Sequence, residues 1–527
     1  MPRTVPVLLA TVFTFCPWVS SAYAEANLGV VDFPTSGSEV AQSHFLHGVA
    51  ALHSFWYDEA LAEFRAATSA EPNFAMGYWG EAMTYNHPLW AVAPEVDSAR
   101  QALAKIKDNA TTKPKEAAFI AAVKVLYGDG DKASRDLHYS EAMSKMHRAY
   151  PDDLEVSTFY ALSLLGTANP GMPGELGRRM QAAAIALPIF KDHPNHPGAA
   201  HYIIHAFDDP EHAILALPAA RQYAAIAPAA FHALHMPSHI FLQLGMWNDV
   251  TASNEASWQA SKQEDFHSLQ WLEYSYLQQG RVGNARNTLA LSNGKTAQAH
   301  MAATFIVETE AWAEAAKLLA NALPEKSKTE AKAQSGGAHP PGCLIPQDMS
   351  ETQVLFVRGL ATAHLRAPEF AANLATLRLR ARDFAGTDRQ KRTLEIQTLE
   401  LVAADAAVKG KFDAATEAMR RATKLEAEAT APSGPPDVIK PANELFGEIL
   451  LTARQPAEAE QQFMMALARH SNRARSLLGA ARAAAAQDGG RERARSFYAT
   501  LVSQWQLADA KSTELSEATA WLAARGS

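Results

Sequence analysis

A recurring spacing of small and aromatic residues is the feature that most constrains how this 527-residue chain folds. A small side chain lets two helices approach closely, and an aromatic ring then fills the next layer of the packing. The spacing of a two-helix repeat of about 34 residues is met by Gly48, Ala60, Phe64, Ala67 and Pro72. The pattern therefore predicts stacked pairs of helices.

The same spacing returns several times along the chain. The further matches are Ala303, Trp312 and Ala315; Gly359 and Ala371; Gly410, Phe412, Ala415, Met419 and Ala422; and Gly447, Ala459, Phe463 and Ala466. Gly245 and Gly280, which lie 35 residues apart, each end the first helix of a unit. These units resemble the tetratricopeptide-repeat (TPR) superfamily. The resemblance implies an all-α, TPR-type helix-pair solenoid that forms a right-handed superhelix.

Two irregular segments interrupt the repeats. Residues 325–350 are polar and then rich in glycine and proline, which predicts a loop or linker between two TPR blocks. We therefore expect an N-terminal block over residues 25–324, with a histidine-rich centre, and a C-terminal block over residues 351–527. A shorter interruption, TAPSGPPDVIKP, occupies residues 430–441.

The first 24 residues have the three parts of a secretory signal peptide. Arg3 precedes an apolar run, and Ala22-Tyr23-Ala24 matches a cleavage site before Glu25. The run is shorter than the roughly 20 residues that span a bilayer, although a retained anchor helix is the alternative. Residues 1–24 thus predict a periplasmic or secreted protein, and no later stretch predicts stable membrane insertion. Cleavage removes Cys16 and leaves Cys343 as the one remaining cysteine, so no internal disulfide is expected.

The charge balance bears on the choice of partner. The chain has 48 basic and 56 acidic residues, and loss of Arg3 with the signal peptide changes the net charge from −8 to −9. Non-specific binding to nucleic acid or anionic lipid needs a positive surface. We therefore expect no nucleic-acid partner and favour a protein or peptide partner.

Eight of the 19 histidines lie between His193 and His239. They fall in two similar segments, HPNHPGAAHYIIHAFDDPEHA from His193 and FHALHMPSHIFLQLGMW from Phe231, in which Pro197 and Pro237 each predict the start of a helix. These segments, with FWYDEA and GYWGEA nearer the N-terminus, resemble a group of bacterial exported TPR proteins over most of residues 40–285. The resemblance implies the fold and export, and it implies no particular reaction.

Repeat geometry assigns a set of side chains to the concave groove of the solenoid. This assignment places His232 and His235 on a helix that faces the groove. A helix that starts at Pro237 would instead place them on the preceding loop. A groove of this composition predicts binding of a peptide, a protein partner or a small polar ligand. The predicted groove residues are His53, Trp79, Asn86, His87, Tyr202, His232, His235, His267, Gln270 and Tyr274.

The spacing of the histidines also predicts a possible metal site. His201 and His205 are four residues apart, as are His235 and His239, and this spacing brings two imidazoles to one helix face. A further nitrogen from a neighbouring unit would complete a zinc or copper site. The alternative is that these histidines are packed groups hydrogen-bonded within the core.

No sequence signature identifies a reaction. The chain has no HExxH sequence, no GxSxG elbow, no P-loop and no dinucleotide-binding glycine pattern. His339 and Cys343 form another possible ligand pair in the Pro-Gly-rich segment. Three hypotheses remain open at this stage: a groove-binding module, a histidine-ligated metal carrier or metalloenzyme, and a structural scaffold of an envelope complex.

Overall fold

The computed structural model describes residues 27–89, 94–107, 110, 112–168, 173–320, 322, 347–510 and 512–524. Every regular element within these ranges is a helix, and the ranges contain no strand. The prediction of an all-α fold is confirmed. The predicted signal peptide, together with His339 and Cys343, lies outside the described residues.

The N-terminal half consists of short helices joined mostly by tight turns. A 3-10 turn at Trp312–Glu314 precedes the last of them. These helices are α1 (Glu39–His53), α2 (Tyr57–Ala70), α3 (Ala75–Met83), α4 (Val96–Ala104), α5 (Pro114–Leu126), α6 (Lys132–Ala149), α7 (Leu154–Gly166), α8 (Glu175–Asp192), α9 (Pro197–Ala206), α10 (Ala213–Ile226), α11 (Phe231–His235), α12 (Pro237–Gln243), α13 (Trp247–Ala260), α14 (Phe266–Gln278), α15 (Val282–Leu291), α16 (Gln298–Thr309) and α17 (Ala315–Leu318).

The C-terminal half continues in the same way, and consecutive helices pack as pairs throughout the described ranges. Within the described ranges the fold is therefore an all-α array of stacked helix pairs, as the repeat spacing predicted. Its remaining helices are α18 (Gln347–His364), α19 (Phe370–Asp383), α20 (Asp388–Val408), α21 (Phe412–Ala427), α22 (Ala442–Thr452), α23 (Pro456–Arg469), α24 (Ala474–Ala485), α25 (Arg491–Gln504) and α26 (Thr513–Ala524).

Glycines opposite buried phenylalanines explain why the repeat spacing recurs. A Cβ atom placed on Gly48 or Gly80 would lie 2.8 or 2.3 Å from the ring of Phe64. The same relationship returns near the other end of the chain, where a Cβ on Gly479 would lie 2.3 Å from the ring of Phe463. A small residue on one helix thus makes room for the aromatic ring on a neighbouring helix, as the spacing of Gly48 and Phe64 predicted.

The C-terminal units pack against the histidine-rich central units. Trp247 donates from Nε1 to the carbonyl oxygen of Asn472 at 3.0 Å, and Trp505 donates from Nε1 to the carbonyl oxygen of Gln278 at 2.8 Å. Gly245 adopts φ +68°, and a Cβ atom at this position would lie 2.6 Å from the side chain of Asn472. Helices α12–α14 are therefore covered by the C-terminal helices.

The two predicted interruptions have different outcomes. Residues 430–441 connect α21 to α22 without helix, in agreement with the sequence. Most of residues 325–350 lies outside the described residues, but α18 already begins at Gln347, so the end of the predicted linker is helical. One hydrophobic cluster contains Phe305 and Val354 from the two sides of that segment, while the division into two blocks stays a prediction. Among the described residues, no helix combines the length and apolarity needed to span a bilayer.

Candidate metal centre

Helix α9 carries the first histidine pair. Pro197 occupies its first turn, as predicted, and the side chain of His196 caps it by accepting from the backbone N–H of Ala199. One turn apart on this helix, His201 and His205 bring their Nε2 atoms to 3.0 Å from each other. The i, i+4 spacing therefore brings both imidazoles to one face of α9, as the sequence predicted.

Helices α11 and α12 carry the second group and are nearly continuous. Met236, between them, has helical torsion angles (φ −53°, ψ −36°), so Pro237 interrupts the hydrogen-bonding pattern without changing the direction of the chain abruptly. His232 and His235 consequently lie on α11 and His239 on α12. The alternative that placed His232 and His235 on a loop is wrong.

The histidines converge as two separate triads, rather than as a single constellation of four. In each triad, one ligand nitrogen from each ring lies within 4.8 Å of the others. His232 joins the α9 pair, and His267 of α14 joins the pair from α11 and α12. The first triad is His201, His205 and His232, and the second triad is His235, His239 and His267.

Neighbouring acceptors fix the ring orientation in the second triad. His235 Nδ1 lies 2.7 Å from Oδ1 of Asn254, whose amide is oriented by donation from Nδ2 to the carbonyl oxygen of Val250 at 2.8 Å. His239 Nδ1 lies 2.7 Å from a carboxylate oxygen of Asp208. Both partners are acceptors, so each Nδ1 carries the proton in the neutral ring. Each Nε2 then carries a lone pair.

These two Nε2 atoms are only 3.1 Å apart. Two lone pairs at this distance repel each other unless a proton or a cation lies between them. Ligands at about 2.0–2.1 Å from a tetrahedral ion lie about 3.3 Å from each other, close to the separation of both i, i+4 pairs. Either a shared proton or a cation between the two Nε2 atoms therefore fits the geometry of the second triad.

The first triad has a similar supporting contact. His201 donates from Nδ1 to the backbone carbonyl oxygen of His53 at 2.7 Å, which leaves its Nε2 lone pair on the side of His205. Burial lowers the pKa of His201 to about 3, and burial together with the neighbouring histidines lowers the pKa of His205. Both rings are neutral at neutral pH, and a neutral imidazole is the form that binds a metal.

Both triads border one cavity of about 400 Å³. Apolar side chains, among them Met236 and Trp271, line it together with polar groups such as Gln270 and Arg179. A cavity of this size and composition fits a small molecule. The triad members that line it are His205, His232, His239 and His267.

The segment of residues 430–437 forms the opposite wall of this cavity. Gln243 donates from Nε2 to Asp208 at 3.2 Å and to the carbonyl oxygen of Pro432 at 2.9 Å, which ties the segment to the carboxylate behind His239. A Cβ atom on Gly434 would lie 2.7 Å from the ring of Trp271. The C-terminal units therefore complete the site instead of leaving it as an open groove.

A second cavity of about 680 Å³ adjoins the first. The two cavities share four lining residues, Glu175, Arg179, Thr430 and Ala431. Arg179 is held by an ion pair with Asp209 at 2.7 Å. These shared residues lie between the two cavities.

Two predicted groove residues lie in a buried network below the first triad. His53 contacts Glu155 through Nε2 at 2.8 Å and the hydroxyl of Tyr202 through Nδ1 at 2.9 Å. His196 contacts the second carboxylate oxygen of Glu155 at 3.1 Å. The side chains of His53, Glu155 and Tyr202 are fully buried. The assignment of His53 and Tyr202 to an open groove is wrong, because neighbouring helices enclose them.

Trp79 and Tyr274 are also structural. The ring of Trp79 is fully buried among phenylalanines, 5.4 Å from Phe119 and 5.3 Å from Phe159 between ring centroids. The hydroxyl of Tyr274 accepts a hydrogen bond of 3.0 Å from the buried guanidinium of Arg473. Neither side chain reaches a groove, since each forms part of the contact between helices.

The remaining predicted groove residues divide between the site and its surroundings. His232, His267 and Gln270 line the cavity, whereas His235 is fully buried behind it. Asn86 is also buried, and it lines a small separate cavity. His87 packs on Tyr57 with 4.3 Å between ring centroids, and burial lowers its pKa to about 4.

Comparison with known proteins finds matches among solved structures alone. No family model and no curated protein matches the sequence. Among solved structures, a human IFIT1 dimer with m7Gppp-AAAA shares 12% identity over 93% of this chain and 90% of that chain, with a TM-score of 0.32. The APC/C hetero-tetramer Cut9-Hcn1 shares 11% identity over 87% and 79%, with a TM-score of 0.35. The P58(IPK) TPR domain shares 13% identity over 85% and 98%, with a TM-score of 0.21. Similarity at this level carries no conclusion about ligands.

Proposed function

We propose that this protein binds two transition-metal ions, one in each histidine triad, beside a cavity that takes a small molecule. The observation that carries the proposal is the pair His235 and His239. Their Nδ1 protons are committed to Asn254 and Asp208, and their Nε2 atoms lie 3.1 Å apart. Metal-binding histidines commonly donate a hydrogen bond from the N–H of their second ring nitrogen to a carboxylate or carbonyl group in this way.

The chemistry of the donor atoms supports zinc or copper. The triads offer imidazole nitrogens, which suit zinc, copper, iron and nickel, and the i, i+4 arrangement on helices is typical of imidazole sites. Three protein ligands leave at least one coordination position for water or substrate. An ion held in this way would polarise a bound substrate or activate a water molecule. A metalloenzyme or a metal carrier is therefore favoured over a purely structural role.

Elemental analysis of metal-exposed protein tests the proposal. We expect two zinc or copper ions per chain in the unaltered protein. The double variant His205→Ala, His239→Ala removes one ligand from each triad and should lose both ions. A matched double variant, His138→Ala, His193→Ala, alters two exposed histidines outside the triads and should keep both. Retention of metal by the first variant, or no binding by the unaltered protein, would reject the ligand assignment.

The alternative to a metal is a proton shared between His235 and His239. In that case the protein exposed to zinc or copper would contain no stoichiometric metal, and the double variant would differ from the unaltered protein only in stability.

Export, predicted from residues 1–24, would place the site in the periplasm or outside the cell. Both parts of this proposal can be examined independently, because metal binding by the purified protein is measured without reference to where the protein resides.

A protein or peptide partner remains a prediction of the sequence. The groove that motivated it is covered by the C-terminal units at Trp247 and Tyr274, so a partner would have to bind elsewhere on the solenoid. Recovery of one stoichiometric partner from an envelope extract tests this hypothesis. Equal recovery with the His205→Ala, His239→Ala variant would separate partner binding from the metal site.

A further inference from the structure

The two triads are built around one shared helix. Helix α11 contributes His232 to the first triad and His235 to the second, and the centroids of these rings are 6.2 Å apart. On the neighbouring helices, the ring centroids of His205 and His239 are 6.3 Å apart. Inside the triads the ring centroids are 4.6–5.1 Å apart, except for 6.5 Å between His239 and His267, so the two triads lie side by side.

Both triads also face the same space. His205 and His232 of the first triad line the 400 Å³ cavity together with His239 and His267 of the second. Ions bound in the two triads would thus turn their remaining coordination positions towards a common volume. Two-metal sites typically hold their ions about 3.5–4 Å apart and share a ligand between them.

The charges around the cavity determine the kind of ligand that would bind there. Two divalent ions on neutral imidazoles bring four positive charges, and Asp208 supplies one negative charge at the second triad. Of the other carboxylates that line the cavity, Asp437 is paired with Arg389, and Glu175 lies 4.0 Å from Arg179, which also pairs with Asp209. The remaining positive charge favours an anionic ligand between the ions.

On these observations, which rest on the proposed function, we infer that the two ions form one dinuclear centre bridged by a small anionic oxygen ligand. Hydroxide is the simplest such ligand, since a bound metal lowers the pKa of water to near neutrality. The bridge would be displaced by the oxygen atom of a substrate that enters the cavity. The protein would in this way present one small molecule to two metal ions at once.

Copper loading with electron paramagnetic resonance tests this inference. The purified protein is loaded with Cu(II), copper is measured by elemental analysis, and the unpaired spins are counted in the same sample. A single-atom bridge couples two Cu(II) ions, so we expect two copper ions per chain and a spin count below half of the copper content. Two copper ions with a full, uncoupled spin count would overturn the inference while leaving the proposed function intact.

Single-triad variants provide the internal control. His267→Ala removes the second-triad ligand that is partly exposed, and His232→Ala removes a ligand of the first triad. Each variant should bind one copper ion with a full spin count, because an isolated ion has no coupling partner. If either variant keeps the low spin count of the unaltered protein, the coupling does not arise between the triads and the inference is wrong. Absence of copper from the unaltered protein would instead reject the proposed function.

Discussion

Asp208 accepts a hydrogen bond of 2.7 Å from Nδ1 of His239. The same carboxylate accepts a second hydrogen bond from Gln243, which also donates to the carbonyl oxygen of Pro432. A carboxylate placed behind an imidazole fixes the tautomer and makes the other nitrogen a better metal ligand. This arrangement connects the second triad to the segment that closes the cavity.

Replacing Asp208 should weaken metal binding at the second triad. The Asp208→Asn variant keeps an acceptor for His239 but removes the charge, and loss of such a partner typically costs about 10–100-fold in metal affinity. Competition with a chromophoric chelator measures the change. Asp209→Asn is the matched control, because Asp209 pairs with Arg179 and His212 rather than with a triad histidine. Equal weakening by both variants would contradict a specific role for Asp208.

We expect metal to reach the triads through a passage between the two cavities, past the residues that line both. A tryptophan at Ala431, one of the shared lining residues, would fill part of the passage without contacting a ligand. We expect Ala431→Trp to slow metal uptake and release together and to leave the dissociation constant unchanged. Stopped-flow measurement with a metal indicator follows both rates. Glu428→Trp, at an exposed position outside both cavities, should keep the rates of the unaltered protein.

The contact between small residues and buried rings gives a prediction about stability. A methyl group on Gly479 would lie 2.3 Å from the ring of Phe463, so Gly479→Ala should lower the free energy of unfolding by about 1–3 kcal/mol. Gly177, inside α8, has nothing within 4 Å of an added Cβ, and Gly177→Ala should raise it by about 0.5–1 kcal/mol. Denaturant titration measures both. A neutral effect of Gly479→Ala would show that Phe463 can move aside.

Much of the fold could be predicted from the sequence because its determinants are local. The spacings from Gly48 to Phe64 and from Gly447 to Phe463 reflect a contact that recurs within each unit, and Pro197 starts its helix wherever the rest of the chain lies. The i, i+4 pair at His201 likewise depends only on α9, and the pair at His235 depends only on the two nearly continuous helices α11 and α12. Patterns of this kind are visible in a single sequence.

The site was predicted only in part, because its remaining determinants are distant in the chain. Asp208 contacts His239, which lies 31 residues away in the sequence, and Asn254 contacts His235, which lies 19 residues away. Neither contact has a spacing signal in the sequence. The groove assignment of Tyr274 failed because Arg473 comes from a unit 199 residues away and covers it. Repeat geometry predicts which face of a helix is concave and does not predict what packs against that face.

Arg473, whose buried guanidinium covers Tyr274, gives a prediction about stability. Arg473 is fully buried, with Glu444 at 2.7 Å and Glu308 at 2.6 Å. Arg473→Ala would remove the cation beside the buried carboxylate of Glu308, while Glu444 would keep Lys440 at 3.0 Å, and should lower the free energy of unfolding by about 3–5 kcal/mol. Tyr274→Phe removes one hydrogen bond and should cost about 1 kcal/mol. Both effects are measured by denaturant titration, and Tyr274→Phe should leave the metal content unchanged. Loss of metal in that variant would show that Tyr274 belongs to the metal site.

His470 should contribute a specific pH dependence to stability. Burial, with a further contribution from the charges of Arg473 and Arg469, lowers the pKa of His470 to about 3. In the unfolded chain the pKa of histidine is about 6.5, so between these values the unfolded state binds the additional proton. The free energy of unfolding therefore falls as the pH falls from 6.5 towards 3, by about 1.4 kcal/mol per pH unit for this one group.

The variant His470→Gln separates this contribution from that of the other groups. Glutamine does not titrate, so the loss of stability between pH 7 and pH 5 should be smaller than in the unaltered protein by about 2 kcal/mol. Asn472→Ala, two residues away, alters the same contact between units without an ionisable group and should lower stability equally at both pH values. Denaturant titration at the two pH values provides the comparison. If His470→Gln keeps the full pH dependence, the imidazole is protonated in the folded protein, and the surrounding arginines do not exclude the charge.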